Sequence, residues 1–197
     1  MESTPLELSA NRLRALLDGM DGGELLRAGA AAMARQHVGS LGVAVRTTLS
    51  PDEHEAVARL LAAIEGAYVV VAAAQGDELG AETLREIAGA LSRLLGRALS
   101  RDEARGVLEL CAEALLQDGG ETRMQYVALV LPDRTGRQVA YAFADGLRRM
   151  VRASGESVMS RLDALARAFG IPHDESAEIA KWVERELGGM SPGMGGD

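Results

Sequence analysis

The stretch AAAQGDEL, Ala72 to Leu79, closes a long apolar run with a glycine turn, two acids and an apolar residue. A second stretch, VRASGESV, Val151 to Val158, has the same plan. Each closes a helical pattern, turns at a glycine, adds an acid, and offers an apolar residue three positions after that glycine (Leu79, Val158). The segments that follow also agree. Leu84-x-x-Ile87-Ala88-x-x-Leu91 matches Leu162-x-x-Leu165-Ala166-x-x-Phe169, with one residue fewer in the second copy. Repetition at this scale signals a duplicated supersecondary unit. Here the unit is a long helix, an acidic glycine turn and a shorter helix. Two such hairpins packed together bury a face that neither buries alone.

Working outward, apolar spacing defines the remaining elements. Val57, Leu60, Leu61, Ile64, Tyr68 and Val71 form one face of a helix from Pro51 to about Gln75. Helices follow at about 81–95 (Leu84, Ile87, Leu91, Leu94) and 101–117 (Ala104, Leu108, Cys111, Leu115). Ser50-Pro51-Asp52-Glu53 and Ser100-Arg101-Asp102-Glu103 have the capping-box spacing, a hydroxyl three residues before a glutamate, as does Thr4-Pro5-Leu6-Glu7. The segment MQYVALVLPDRTGRQVAYAFA, residues 124–144, admits a β-hairpin because Val, Tyr and Phe flank a Pro-Asp-Arg-Thr-Gly turn. Its polar residues are too few for strand alternation. Helical spacing of Val139, Phe143, Leu147, Met150 and Val151 favours a short helix to about Val130 and a long one from Pro132. A last pair is expected at about 157–169 and 174–187, with Ile179, Trp182 and Val183 buried in the second.

Residues 1–49 read as an N-terminal helical extension with a joint. A first helix carries the stripe Leu6, Ala10, Leu13 and Leu17, and a second runs from about Glu24 to Val38. The expected organisation is therefore an extension over 1–49, a helical domain over 50–188 and a tail over 189–197. The fold class is all-α, about seven helices with two pseudo-repeated hairpins.

Composition narrows the function. Aromatics are 3% of 197 residues, so the core is built from aliphatic side chains and alanine, which suit close helix packing. The formal net charge is −8, with 21 basic against 29 acidic residues, which argues against nucleic-acid binding. One cysteine, Cys111, excludes an intrachain disulfide and suits a reducing compartment. The start has no secretory-signal pattern, and the longest apolar run, near Ala67–Ala74, falls short of the roughly 20 residues a spanning helix needs. A cytoplasmic location is expected.

The two glycine turns, together with FGIPHDESAEIAKW (Phe169 to Trp182), resemble the tellurite-resistance TerB-like family of bacterial helical domains. The resemblance covers about residues 50–187 and leaves out the extension. It implies a helical domain of about seven helices, serving a stress-response or envelope-associated system. In that family the turn carries an aspartate proposed to help bind a metal cation. Gln75 and Ser154 stand at that position here, and neither brings the negative charge that anchors a hard cation.

Candidate cation ligands are Asp77, Glu78, Glu82 and Glu156. Their plain account is helix capping, since acids in a first turn favour the positive helix end by about 0.3–1 kcal/mol. The DGGE strings at 21–24 and 118–121 read as helix stops. His37, His54 and His173 have no zinc-ligand spacing. Cys111, on an apolar face, reads as a core residue. Arg137, Arg148 and Arg152, with Arg149 beside them, read as a solvated helix face, or as a grip for an acidic partner or anionic lipid, which would allow peripheral membrane association. Helix 24–38, rich in small residues with Leu25, Leu26 and Met33, packs on the domain or meets a partner. No nucleophile–base pair appears. The expectation is a non-enzymatic interaction or scaffold protein, binding a partner or itself through the N-terminal helices, with no catalytic residue and no cofactor. The alternative is a module that binds a divalent cation weakly through the acids after the two turns.

Overall fold

Leu60 to Ala72 are buried without a break in the computed structural model, which describes residues 51–76, 79–95 and 101–189. The extension, its capping box, His37 and the first DGGE string lie outside those residues. So do Asp77, Glu78, Ser50, Ser100 and the side chains of Val57, Leu94 and Ala104. Helix α1, Pro51–Ala72, is thus buried on all sides from Leu60 onward, where one face was expected. A helix buried around its whole circumference belongs at the centre of a domain. Its window Ala58–Gln75 is long and apolar enough to cross a membrane by composition, contrary to the expectation from the shorter run. That window is 72% buried inside the domain and carries the charged residues Arg59 and Glu65. Its apolar surface is therefore already covered by protein.

Six further helices complete the fold among the described residues, which contain no strand. They are α2 (Ala81–Leu95), α3 (Arg101–Asp118), α4 (Gly120–Val130), α5 (Arg134–Met150), α6 (Glu156–Phe169) and α7 (His173–Gly189). Of these, α3, α4, α5 and α6 pack directly on α1. The fold is all-α, as the periodicity indicates, and residues 124–144 are two helices rather than a hairpin. Asp133 fixes the break between them: its carboxylate accepts from Gly136 N–H at 2.6 Å as the N-cap of α5.

The most extensive contact joins α1 to α5, the long helices of the two repeats. α1 also packs on α4, α6 and α3, while α5 packs on α7, α6 and α2, so each long helix meets the other repeat's short helix. Gly66 in α1 faces both α4 and α6. A Cβ there would lie 3.4 Å from Val127 Cγ1 of α4 and 3.7 Å from Leu165 Cδ1 of α6. On α5 the buried face is Ala140, Tyr141, Ala144, Asp145 and Leu147. Of the expected stripe only Leu147 is fully buried; Val139, Phe143, Met150 and Val151 are half-buried. Alanine takes the centre because α1 approaches there.

Candidate functional site

The two glycine turns differ in construction. After α1 a short 3₁₀ turn, Ala73–Gln75, ends on Gly76 in the left-handed region (φ 71°). Gln75 clasps that turn to the start of α2. Its Nε2 donates to Thr83 Oγ1 at 2.8 Å, and its Oε1 accepts from Gly80 N–H at 3.2 Å. Both halves of the amide bridge the turn.

In the second turn the left-handed residue is Arg152 (φ 55°), not Gly155. Ala153 N–H donates to Arg148 C=O at 2.8 Å, and Arg152 N–H to Arg149 C=O at 3.2 Å. These are the paired bonds that reverse a chain at a helix C-terminus. Gly155 instead precedes α6 as its N-cap, with φ 113°. Val158 lies inside α6 and is fully buried, whereas Leu79 precedes α2 and is half-buried. The expected equivalence of Gly76 with Gly155, and of Leu79 with Val158, is therefore corrected. The helices repeat; the turns reach the same reversal by different residues.

The candidate acids Glu82 and Glu156 are exposed in the first turns of α2 and α6. No group of three or more His, Cys, Asp or Glu residues suited to a metal occurs among the described residues. The second DGGE string is a helix junction. Asp118 Oδ2 accepts from Arg123 Nη1 at 3.0 Å, Gly119 has φ 77°, and Gly120 opens α4 against the Arg161 guanidinium. His173 begins α7, where its carbonyl accepts from Ser176 Oγ at 2.8 Å.

Arg137, Arg148 and Arg149 of α5 are structural, which corrects the reading of a solvated face for them, while Arg152, beyond the end of α5, is exposed. Arg137 donates to three carbonyls: Leu131 at 2.6 Å, Ala128 at 2.9 Å and Phe169 at 3.4 Å. One guanidinium thereby caps the C-terminal ends of α4 and α6, where carbonyls lack intrahelical partners. Asp145, fully buried, lies between Arg148 and Arg149. Arg149 Nε donates to Oδ2 at 2.9 Å, while Arg148 Nη2 approaches Oδ1 at 2.5 Å as an ion pair without hydrogen-bond alignment. Arg149 Nη1 also lies 3.5 Å from Glu184, tying α5 to α7. Burial first, and the Asp145 charge second, push the Tyr141 hydroxyl above its ordinary pKa.

A second buried ion cluster lies where α1, α3 and α4 meet. Glu65 of α1 accepts a short hydrogen bond from Arg123 Nε of α4. The Arg123 guanidinium also lies 4.4 Å from the centre of the Tyr126 ring. Burial works against the charge of Arg123, and the Glu65 and Asp118 carboxylates outweigh it, holding its pKa above the usual value. Cys111 is fully buried on α3. Burial, reinforced by Glu65 and opposed by Arg123, pushes its thiol well above the ordinary range. It packs as a small core residue, as its place on an apolar helix face indicates.

The sequence reading did not single out Glu65, Arg123 or Asp145. One signal was available: Glu65 is the sole acid between Ala58 and Gln75. The outer surface of α4 and α6 forms a groove of about 780 Å³. Met124, Ala164 and Ala168 contribute apolar lining, and Glu121, Arg161 and Arg167 contribute charge. Leu129, on α4, is 79% exposed. No family model, curated protein or solved structure matches this chain.

Proposed function

We propose that the chain is a non-enzymatic helical interaction or scaffold protein. The TerB-like resemblance assigns it to a bacterial stress-response or envelope-associated system, in the cytoplasm. The observation that carries this reading is how the buried charges are used. Glu65, Arg123 and Asp145, the buried charged side chains among the described residues, are each held in an ion pair. None of them lines the α4–α6 groove. Groups whose environment would tune them for chemistry are thus engaged in joining and bracing helices. A body braced in this way suits presentation of a fixed surface, with residues 1–49 recruiting a protein partner or a second copy.

Removing Met1 to Leu49 tests the assignment. The shortened chain is expected to keep its helical circular dichroism and to lose self-association or partner capture, read by light scattering and co-purification. Association that survives the deletion refutes the role given to the extension.

A further inference from the structure

The α4–α6 groove carries an acid toward one end and a base toward the other. Gly120, the first residue of α4, lies against Arg161 in α6. Arg137 joins the Ala128 and Leu131 carbonyls of α4 to the Phe169 carbonyl of α6. The two walls therefore run in the same direction. Counted back from the shared Arg137 clamp, Glu121 lies seven residues before Ala128, and Arg167 lies two before Phe169. The difference of five residues sets them about 7.5 Å apart along the groove. The midpoint falls at Met124 and Ala164, in the apolar part of the lining. Glu121 and Arg167 are both exposed, and neither is paired with another charge among the described residues.

A groove with that polarity fits a reversed copy of itself. Two chains related by a two-fold axis at the level of Met124 and Ala164 lie antiparallel across it, and every contact is made twice. The reversal brings Glu121 of each chain to the level of Arg167 of the other. A parallel copy instead sets Glu121 against Glu121 and Arg167 against Arg167. Near the axis the lining is Met124 and Ala164, so the centre of the contact is apolar and its flanks are charged. Ala164 and Ala168 keep that surface low, which lets helices approach closely. Leu129, one turn beyond Gln125 on α4, is 79% exposed. The reversed copy covers it with the N-terminal half of its own α6.

We propose that the α4–α6 groove is a two-fold contact between copies of this chain, closed by reciprocal Glu121–Arg167 ion pairs. Two helices about 16 Å long and about 10 Å wide present about 300 Å² a side. A stable complex buries about 800 Å² per partner. The contact alone therefore holds only in the millimolar range, below what light scattering of dilute protein reads. Where residues 1–49 bring two copies together, tethering supplies an effective concentration of that order. The groove then fixes how the two copies face each other. The contact itself does not rest on the association given to the extension; only its occupancy in dilute solution does.

The test is a concentration series of the ¹⁵N-enriched full chain, read by its amide shifts. From dilute to millimolar protein the amides of Gln125, Ala164 and Arg167 are expected to move, while those of α2 and α7 hold still. Glu121→Arg and Arg167→Glu are each expected to abolish the movement, because like charges then face each other. Both side chains are exposed, and unmoved core amides check that the fold is kept. Unlabelled Arg167→Glu chain added to enriched Glu121→Arg chain is expected to restore the movement, since the mixed pair again sets unlike charges together at both positions. Three results overturn the proposal: groove amides that do not move with concentration, movement that either single variant retains, or no restoration on mixing. The first gives the groove to a different protein, and the last to a copy in another orientation. The readout lies on α4 and α6, so its failure is distinct from a failure of the deletion test.

Discussion

Gln75 uses both ends of its amide, one on Thr83 and one on Gly80 N–H. A cation at this turn would compete for the oxygen that holds Gly80. Gln75→Leu is expected to lower stability by about 0.5–1.5 kcal/mol, the usual worth of a hydrogen bond, in urea unfolding. Titration calorimetry with calcium, magnesium, manganese and zinc is expected to read millimolar or weaker binding that Glu82→Ala leaves unchanged. Tighter binding, lost in that variant, would restore the cation-binding alternative. At the second turn the strained residue is Arg152, held at φ 55° by the two bonds that close α5. A non-glycine residue there costs about 1–2 kcal/mol, and glycine removes that cost while adding unfolded-state entropy of about 0.5–1 kcal/mol. Arg152→Gly is therefore expected to raise the urea midpoint by the equivalent of about 0.5–1 kcal/mol. A lower midpoint would mean that the Arg152 side chain contributes more than its backbone costs.

Helix ends were legible where a local residue announces them and illegible where the cap comes from far along the chain. Asp133, three residues before Gly136, is the familiar N-cap signature, and α5 starts at Arg134, within two residues of the Pro132 that periodicity indicates. Arg137 is different: it reaches carbonyls six and nine residues back and 32 residues ahead. Nothing in local spacing separates such an arginine from one on a wet helix face. The same limit explains the turns, since a glycine in the right place marks a reversal but not which residue takes the left-handed conformation. Arg137→Met removes three donors and leaves carbonyls of α4 and α6 half-buried and unsatisfied, with an expected loss of about 2–3 kcal/mol. Arg137→Lys should recover little of it, because a lysine ammonium lacks the planar fork that spans three acceptors. Full recovery by lysine in chemical denaturation would reduce the role of Arg137 to its charge.

Across the whole molecule, the central question is why a helix as apolar as α1 carries a buried glutamate. Glu65 and Arg123 are 58 residues apart, so the pair becomes visible only after α4 is laid on α1. It binds three elements at once, because Arg123 also holds Asp118 at the end of α3. Desolvation opposes such a pair, and well-packed apolar replacements are often neutral or stabilising. The sign of each substitution follows. Arg123→Met breaks the buried pair from its cationic side and is expected to cost up to about 3–5 kcal/mol. Glu65→Leu leaves Asp118 3.0 Å from the Arg123 Nη1, so the guanidinium keeps a carboxylate, and is expected to cost less. The double variant removes both charges and is expected to be more stable than Arg123→Met alone, giving a coupling well beyond the additive limit of about 0.5 kcal/mol in a double-mutant cycle. Additive losses would assign Glu65 and Arg123 independent partners. A double variant that keeps its stability but broadens its amide spectrum would assign the pair a different role: fixing how α1, α3 and α4 come together rather than how tightly they hold.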